Sequence, residues 1–82
     1  MMPAFKDFAA SAVEDLESAG FAYCSTHLHL AGHWHRDRGD GIEVSQVGLT
    51  HVIHRTLTRE AYEHGNRNEF TALGLEVRQK PN

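Results

Sequence analysis

The spacing of apolar residues changes at Gly20, and this change limits the folds open to the chain. Before it, Phe5, Phe8, Ala9, Ala12, Val13 and Leu16 recur at intervals of three and four, the period of a helix with one buried side. Lys6, Asp7, Ser11, Glu14, Asp15 and Ser18 fill the remaining positions. Pro3 suits a helix start, and Asp7 complements the positive end of the helix dipole. The pattern predicts a helix over 4–19. Gly20 would end it in the left-handed conformation, and Phe21 follows where it can pack on Leu16. Glu17 falls in the last turn, where a carboxylate opposes the dipole, so it marks solvated surface or the approach of a basic partner.

Beyond Gly20 the period is two. The even positions are Ala22, Cys24, Thr26, Leu28, Leu30, Gly32 and Trp34; the odd ones are Tyr23, Ser25, His27, His29, Ala31, His33 and His35. This alternation predicts one half-buried strand, with Leu28, Leu30 and Trp34 inward and the four histidines outward. The run is long for a single strand, so a bend or bulge is expected near Ala31-Gly32. A tight turn there is disfavoured because it would mix histidines with leucines on one face. Cys24 falls on the inward side and is expected to be a buried free thiol. Asp37-Arg38-Gly39-Asp40-Gly41 is a strong turn signal. Ile42 and Val44 then continue the apolar phase in a hairpin pairing Trp34 with Val44, leaving Glu43 and Ser45 beside the histidines.

Residues 46–57 admit two descriptions. Val47, Leu49, His51, Ile53, Arg55 and Leu57 alternate among β-branched neighbours, which favours a strand after a bulge at Gln46-Val47. Leu49, Ile53 and Leu57 also recur every four residues, as a helix would require. Strand is the expectation adopted. Thr58 to Gly65 then has the form of a short capped helix, with Thr58 as cap, Glu60 in the first turn and Gly65 as stop. Asn68 to Gly74 repeats that form, with Leu75 placed to pack on Phe70. Leu75 and Val77 share a face suited to a last short strand, and 78–82 form a polar tail.

With 82 residues, 40% of them hydrophobic, the chain supplies one small core and no second domain. No repeat or linker divides residues 1–82. The expected architecture is α+β: an N-terminal helix packed on a small antiparallel sheet built on a long hairpin, with short helices near 59–73. One sheet face would be covered and the other would carry the histidines and Tyr23.

Several function classes lose support on composition. No apolar run approaches the roughly 20 residues that span a bilayer, so no membrane partner is expected. The start lacks a basic flank followed by an apolar stretch, which points to a cytoplasmic protein rather than a secreted one. Cys24 is the only cysteine, which excludes a disulfide within the chain. The formal charge is -3, with three basic and six acidic groups in residues 1–41 and five of each in 42–82. Neither half is the basic footprint of a phosphate-binding protein. A helix-turn-helix would need Gly48 at the turn and Leu49-Thr50 opening a recognition helix. The apolar residues that follow fall one position early for it, and Arg55 and Arg59 alone would meet phosphate. Nucleic acid is thus the least favoured partner.

Chemistry, if any, concentrates in His27-Leu28-His29-Leu30-Ala31-Gly32-His33-Trp34-His35. Alternate residues of a strand lie about 6–7 Å apart, within reach of one ion, and zinc takes imidazole nitrogens at about 2.0–2.1 Å. The Trp34–Val44 hairpin, extended without slippage, sets His51 opposite His27. His27, His29 and His51 would then be candidate metal ligands, and His33 and His35 could form a second group with Asp37 or Glu43. The chain contains no Gly-x-Ser-x-Gly elbow, phosphate-binding glycine loop or His-Glu-x-x-His. His33, His35 and Arg36 could be cast as acid–base groups, as most histidine-rich strands could.

The function expected is therefore non-enzymatic binding of a protein partner, as a small regulator or inhibitor, without a cofactor. The contact residues would be Glu14, Asp15, Glu17 and Ser18 on the helix, which suit a basic partner, and Tyr23, His27, His29, His33 and His35 on the open sheet face. That face would also serve a homodimer. A metal-binding domain built on the histidines and a small nucleic-acid-binding domain are the alternatives.

Overall fold

The computed structural model describes residues 5–78; Pro3 and Ala4 at the expected helix start and the end of the polar tail lie outside it. An N-terminal helix packs against a four-stranded antiparallel sheet, followed by two short helices. The elements are α1 (Phe5–Ser18), β1 (Ala22–Cys24), β2 (His33–Asp37), β3 (Ile42–Val47), β4 (Val52–Leu57), α2 (Arg59–His64) and α3 (Arg67–Ala72). The strands form a meander in chain order, β1-β2-β3-β4.

Local signals hold at the C-terminus of α1 and at the caps of the two short helices. Gly20 has φ +93°, the Phe21 N–H donates to the Leu16 carbonyl at 3.0 Å, and the Gly20 N–H donates to that of Glu17 at 3.1 Å. This is the Schellman stop that the Gly20-Phe21 pair predicts. The Thr58 hydroxyl caps α2 by accepting from the Ala61 N–H at 3.0 Å, and Asn66 caps α3 by accepting from Glu69 at 2.9 Å. Gly74, at φ +83°, ends α3 as Gly20 ends α1, and the Leu75 N–H donates to the Phe70 carbonyl. The expected last strand shrinks to one bridge, Leu30 to Val77.

Two departures from the sequence expectation reset the faces of the sheet. The long strand over 22–36 does not form. It breaks into β1 and β2, joined by a loop over 25–32 and paired with Ala22 opposite His35, Tyr23 opposite Trp34 and Cys24 opposite His33. The hairpin at 38–41 does form, with the Arg38 N–H donating to the Gly41 carbonyl and the Gly39 N–H to the Asp37 carboxylate. Its four-residue loop pairs Asp37 with Ile42, so Trp34 stands opposite Ser45 and His35 opposite Val44. A shift of one residue inverts every side chain. His33 and His35 therefore share a face with Ile42 and Val44, while Trp34 and Arg36 share the other with Glu43 and Ser45. The 46–57 stretch is strand at both ends, interrupted by a turn in which the Gly48 N–H donates to the His51 carbonyl.

The core lies on the histidine-bearing face. Leu30, Ile42, Val44, Leu57, Phe70 and Leu75 form one buried cluster, with Ile53, Ala61, Tyr62, Leu73 and Val77 against it. Fully burying one such side chain contributes about 1.5–3 kcal/mol. The cover consists of α2, α3, the 25–32 loop and the segment after α3. Gln46 holds that segment by donating to the Glu76 carbonyl and accepting from its N–H. Leu28, expected inward, is 75% exposed at the crest of the loop.

Helix α1 lies on the opposite face, against β3. Its described apolar side chains are half-buried at best, and none belongs to the core cluster. The buried strand residues on that face are polar, Glu43 and Ser45. One side of the sheet thus carries the apolar core and the other a helix over a polar layer, beside which Tyr23 and Val52 stay exposed.

Candidate functional site

Arg36 organises the polar layer. Its guanidinium donates to the Ala19 carbonyl at 2.7 Å, beyond the end of α1, where no basic residue of the helix itself is available. It also grips Glu43 through Nε at 2.7 Å and Nη2 at 2.6 Å, and stacks 4.6 Å above the Phe21 ring. One side chain from β2 therefore supplies the cation that the α1 C-terminus lacks. Next to it, Ser45 Oγ lies 2.7 Å from His54 Nδ1, and His54 Nε2 lies 3.6 Å from Glu43. The order Ser–His–Glu has the composition of a nucleophilic triad. Ser45 is only 1% exposed, however, and Glu43 is committed to Arg36, so no substrate can reach the hydroxyl. The row serves packing under α1.

On the outer side of α1, Glu14, Asp15, Glu17 and Ser18 are all exposed. None of the three carboxylates pairs with a cation among the described residues. Tyr23 lies on the same sheet face as α1 and is 57% exposed; its ring packs on Trp34 with centroids 5.2 Å apart. Gly32 sits so close to the Tyr23 hydroxyl that a Cβ there would collide with it. Trp34, which the alternation placed in the core, is instead half-buried on the α1 side of the sheet. Antiparallel pairing across the 25–32 loop puts the Tyr23 and Trp34 rings on one face, a pairing that the continuous alternation concealed. Phe8 and Val52 add apolar area to this side, at 40% and 37% exposure.

The histidines separate. His33 is wholly buried, so it has no surface to offer a partner, contrary to the sequence expectation. Its Nδ1 donates to the Ala31 carbonyl at 2.9 Å, and its Nε2 accepts from the Tyr62 hydroxyl at 2.9 Å. Those partners set the tautomer. Burial holds His33 below the ordinary histidine range, opposed by the Ala31 carbonyl and reinforced by His27 and His35. The Tyr62 hydroxyl is pushed up to about 12, chiefly by burial and further by Cys24, so it stays protonated and able to donate. His27, half-buried in the 25–32 loop, donates from Nε2 to the Tyr62 carbonyl at 2.6 Å; its Nδ1 accepts from the N–H groups of His29 and Leu30 at 3.4 Å. His35 completes the cluster, its ring 5.8 Å from those of His33 and Tyr62. Cys24 is free and half-buried beside them on the core face, opposite His33.

His27, His29 and His51 do not meet. His27 turns onto Tyr62, while His51 lies in the β3–β4 turn with its ring on the Thr50 hydroxyl. Their expected juxtaposition required a continuous 22–36 strand and a Trp34–Val44 register, neither of which forms. Among the described residues no three His, Cys, Asp or Glu side chains converge to hold a metal ion. Among the same residues no helix is long and apolar enough to cross a membrane. No family model matches the chain, and no curated protein or solved structure matches it either.

Proposed function

We propose that this chain is a non-enzymatic protein-binding domain, a small regulator or inhibitor that meets a basic partner with α1 and the Tyr23–Trp34 pair. The observation that carries the proposal is the exposed Tyr23 ring, packed against Trp34 on the face shared with α1, together with the three carboxylates of that helix that no described residue neutralises. Rigid aromatic area flanked by charge is what interfaces select. Unpaired carboxylates in the last turn of a helix oppose its dipole, a cost that a cationic partner reverses. A free, half-buried thiol suits a reducing cytoplasmic setting.

Capture from a lysate of the source organism tests the proposal. Immobilised wild-type chain is compared with the E14K/D15K/E17K triple variant and with Tyr23→Ala, all of which alter exposed positions. The wild type should retain one discrete protein in near-stoichiometric amount, releasable by about 0.5 M salt. Charge reversal should abolish retention, and Y23A should weaken it about tenfold. Equal retention by all three chains, or none by the wild type, contradicts the proposal.

A further inference from the structure

The cluster of His27, His33, His35 and Tyr62 joins four separate pieces of the fold. His27 belongs to the 25–32 loop, His33 and His35 to β2, and Tyr62 to α2, while the Phe70 ring of α3 packs against His27 with centroids 6.1 Å apart. The hydrogen bonds accepted at His27 Nδ1 and His33 Nε2 require uncharged imidazole. Protonating His27 at Nδ1 would aim an N–H at the N–H groups of His29 and Leu30, which no rotation of a hydroxyl can relieve. Protonating His33 at Nε2 would aim an N–H at the Tyr62 O–H and strand the hydroxyl proton in a buried place.

No acid stands ready to receive those charges. The groups facing the cluster are the Cys24 thiol of β1, the Tyr62 phenol of α2 and the Arg78 guanidinium, which donates to the His27 carbonyl at 2.8 Å. From α3 only the Phe70 ring reaches it. Glu60, Glu63 and His64 of α2 are exposed, and His64 lies beside Glu63. Among the described residues, carboxylates come within ion-pair reach of His54 and His64 but of no histidine in the cluster. The His27 and His33 ring centroids are 5.6 Å apart and those of His33 and His35 5.8 Å, so each added charge repels the next.

We propose that this cluster is an acid-sensitive latch: neutral, it clamps α2 and the 25–32 loop onto the sheet, and on acidification it releases them while β3 and β4 stay paired. Release would uncover Leu30 and Phe70, apolar side chains that are wholly buried when the latch is closed. The direction follows from proton linkage at His33. The folded chain binds fewer protons there than the unfolded chain, so the contribution is complete above about pH 6.5 and declines as pH falls toward the lower folded value. The latch lies on the face opposite α1 and holds whichever protein binds there.

Amide hydrogen exchange of the full chain at about pH 7.5 and about pH 5, corrected for intrinsic rates, tests this. Opening in 26–32 and 59–65 should rise about tenfold or more on acidification, with β3–β4 amides unchanged. The H33Q variant keeps an amide donor and acceptor in place of the ring that carries the linkage and should shrink that response. Equal protection at both pH values, loss of sheet protection in the same step, or an undiminished response in the variant would each overturn the proposal. The wild-type comparison decides even where the variant folds poorly.

Discussion

Arg36 shows how far one side chain shapes this molecule. It caps α1, neutralises the nearly buried Glu43 and covers the Phe21 ring. Arg36→Ala leaves Glu43 unpaired under the helix and should destabilise the fold by about 2 kcal/mol. Arg36→Lys keeps the charge but loses the planar fork and the stacking, and should cost about half as much. Urea unfolding midpoints check both, and an unchanged midpoint for R36A would show that the layer contributes nothing. Nothing in the local sequence around Arg36 announced this role, because its partners stand 17 and 7 residues away. His33 was misread for a related reason. Its polarity suggested an outward position, whereas two specific hydrogen bonds make it a satisfied core residue.

Among the elements, those governed by nearby residues were legible and those governed by pairing were not. The period of α1, its Gly20 stop, the 38–41 turn and the Thr58 cap all depend on residues within a turn of one another. The break at 25–32 does not. There the odd–even alternation runs unbroken through residues that form no strand, and the pairing of Cys24 with His33 competes with it successfully. The same competition fixes which leucine matters. Leu30 is wholly buried while Leu28 is 75% exposed. Leu30→Ala should cost about 2–5 kcal/mol, and Leu28→Ala should stay within about 0.5 kcal/mol of wild type. Comparable losses at the two positions, read by thermal or urea unfolding, would restore the single long strand.

The whole molecule has two unlike sides. One side of the sheet holds the dry core and the histidine latch, closed over by α2, α3 and the 25–32 loop. The other holds α1 above a polar layer, with Tyr23 exposed, Trp34 half-buried beside it and acidic groups facing outward. Sequence patterning anticipated the helix, the antiparallel sheet and the acidic surface of α1. It assigned His33 and His35 to the open face because one residue of hairpin register decides which side they take, and His27 and His29 because the alternation through 25–32 conceals a loop. The division between the sides is the centre of the functional account, and hydroxyl-radical footprinting of the chain, free and bound to its captured partner, tests it most directly. Protection concentrated on Tyr23, Trp34 and Phe8 is the predicted result. Protection confined to Leu28, Tyr62 and the α2 surface would contradict it and move the binding site to the latch side.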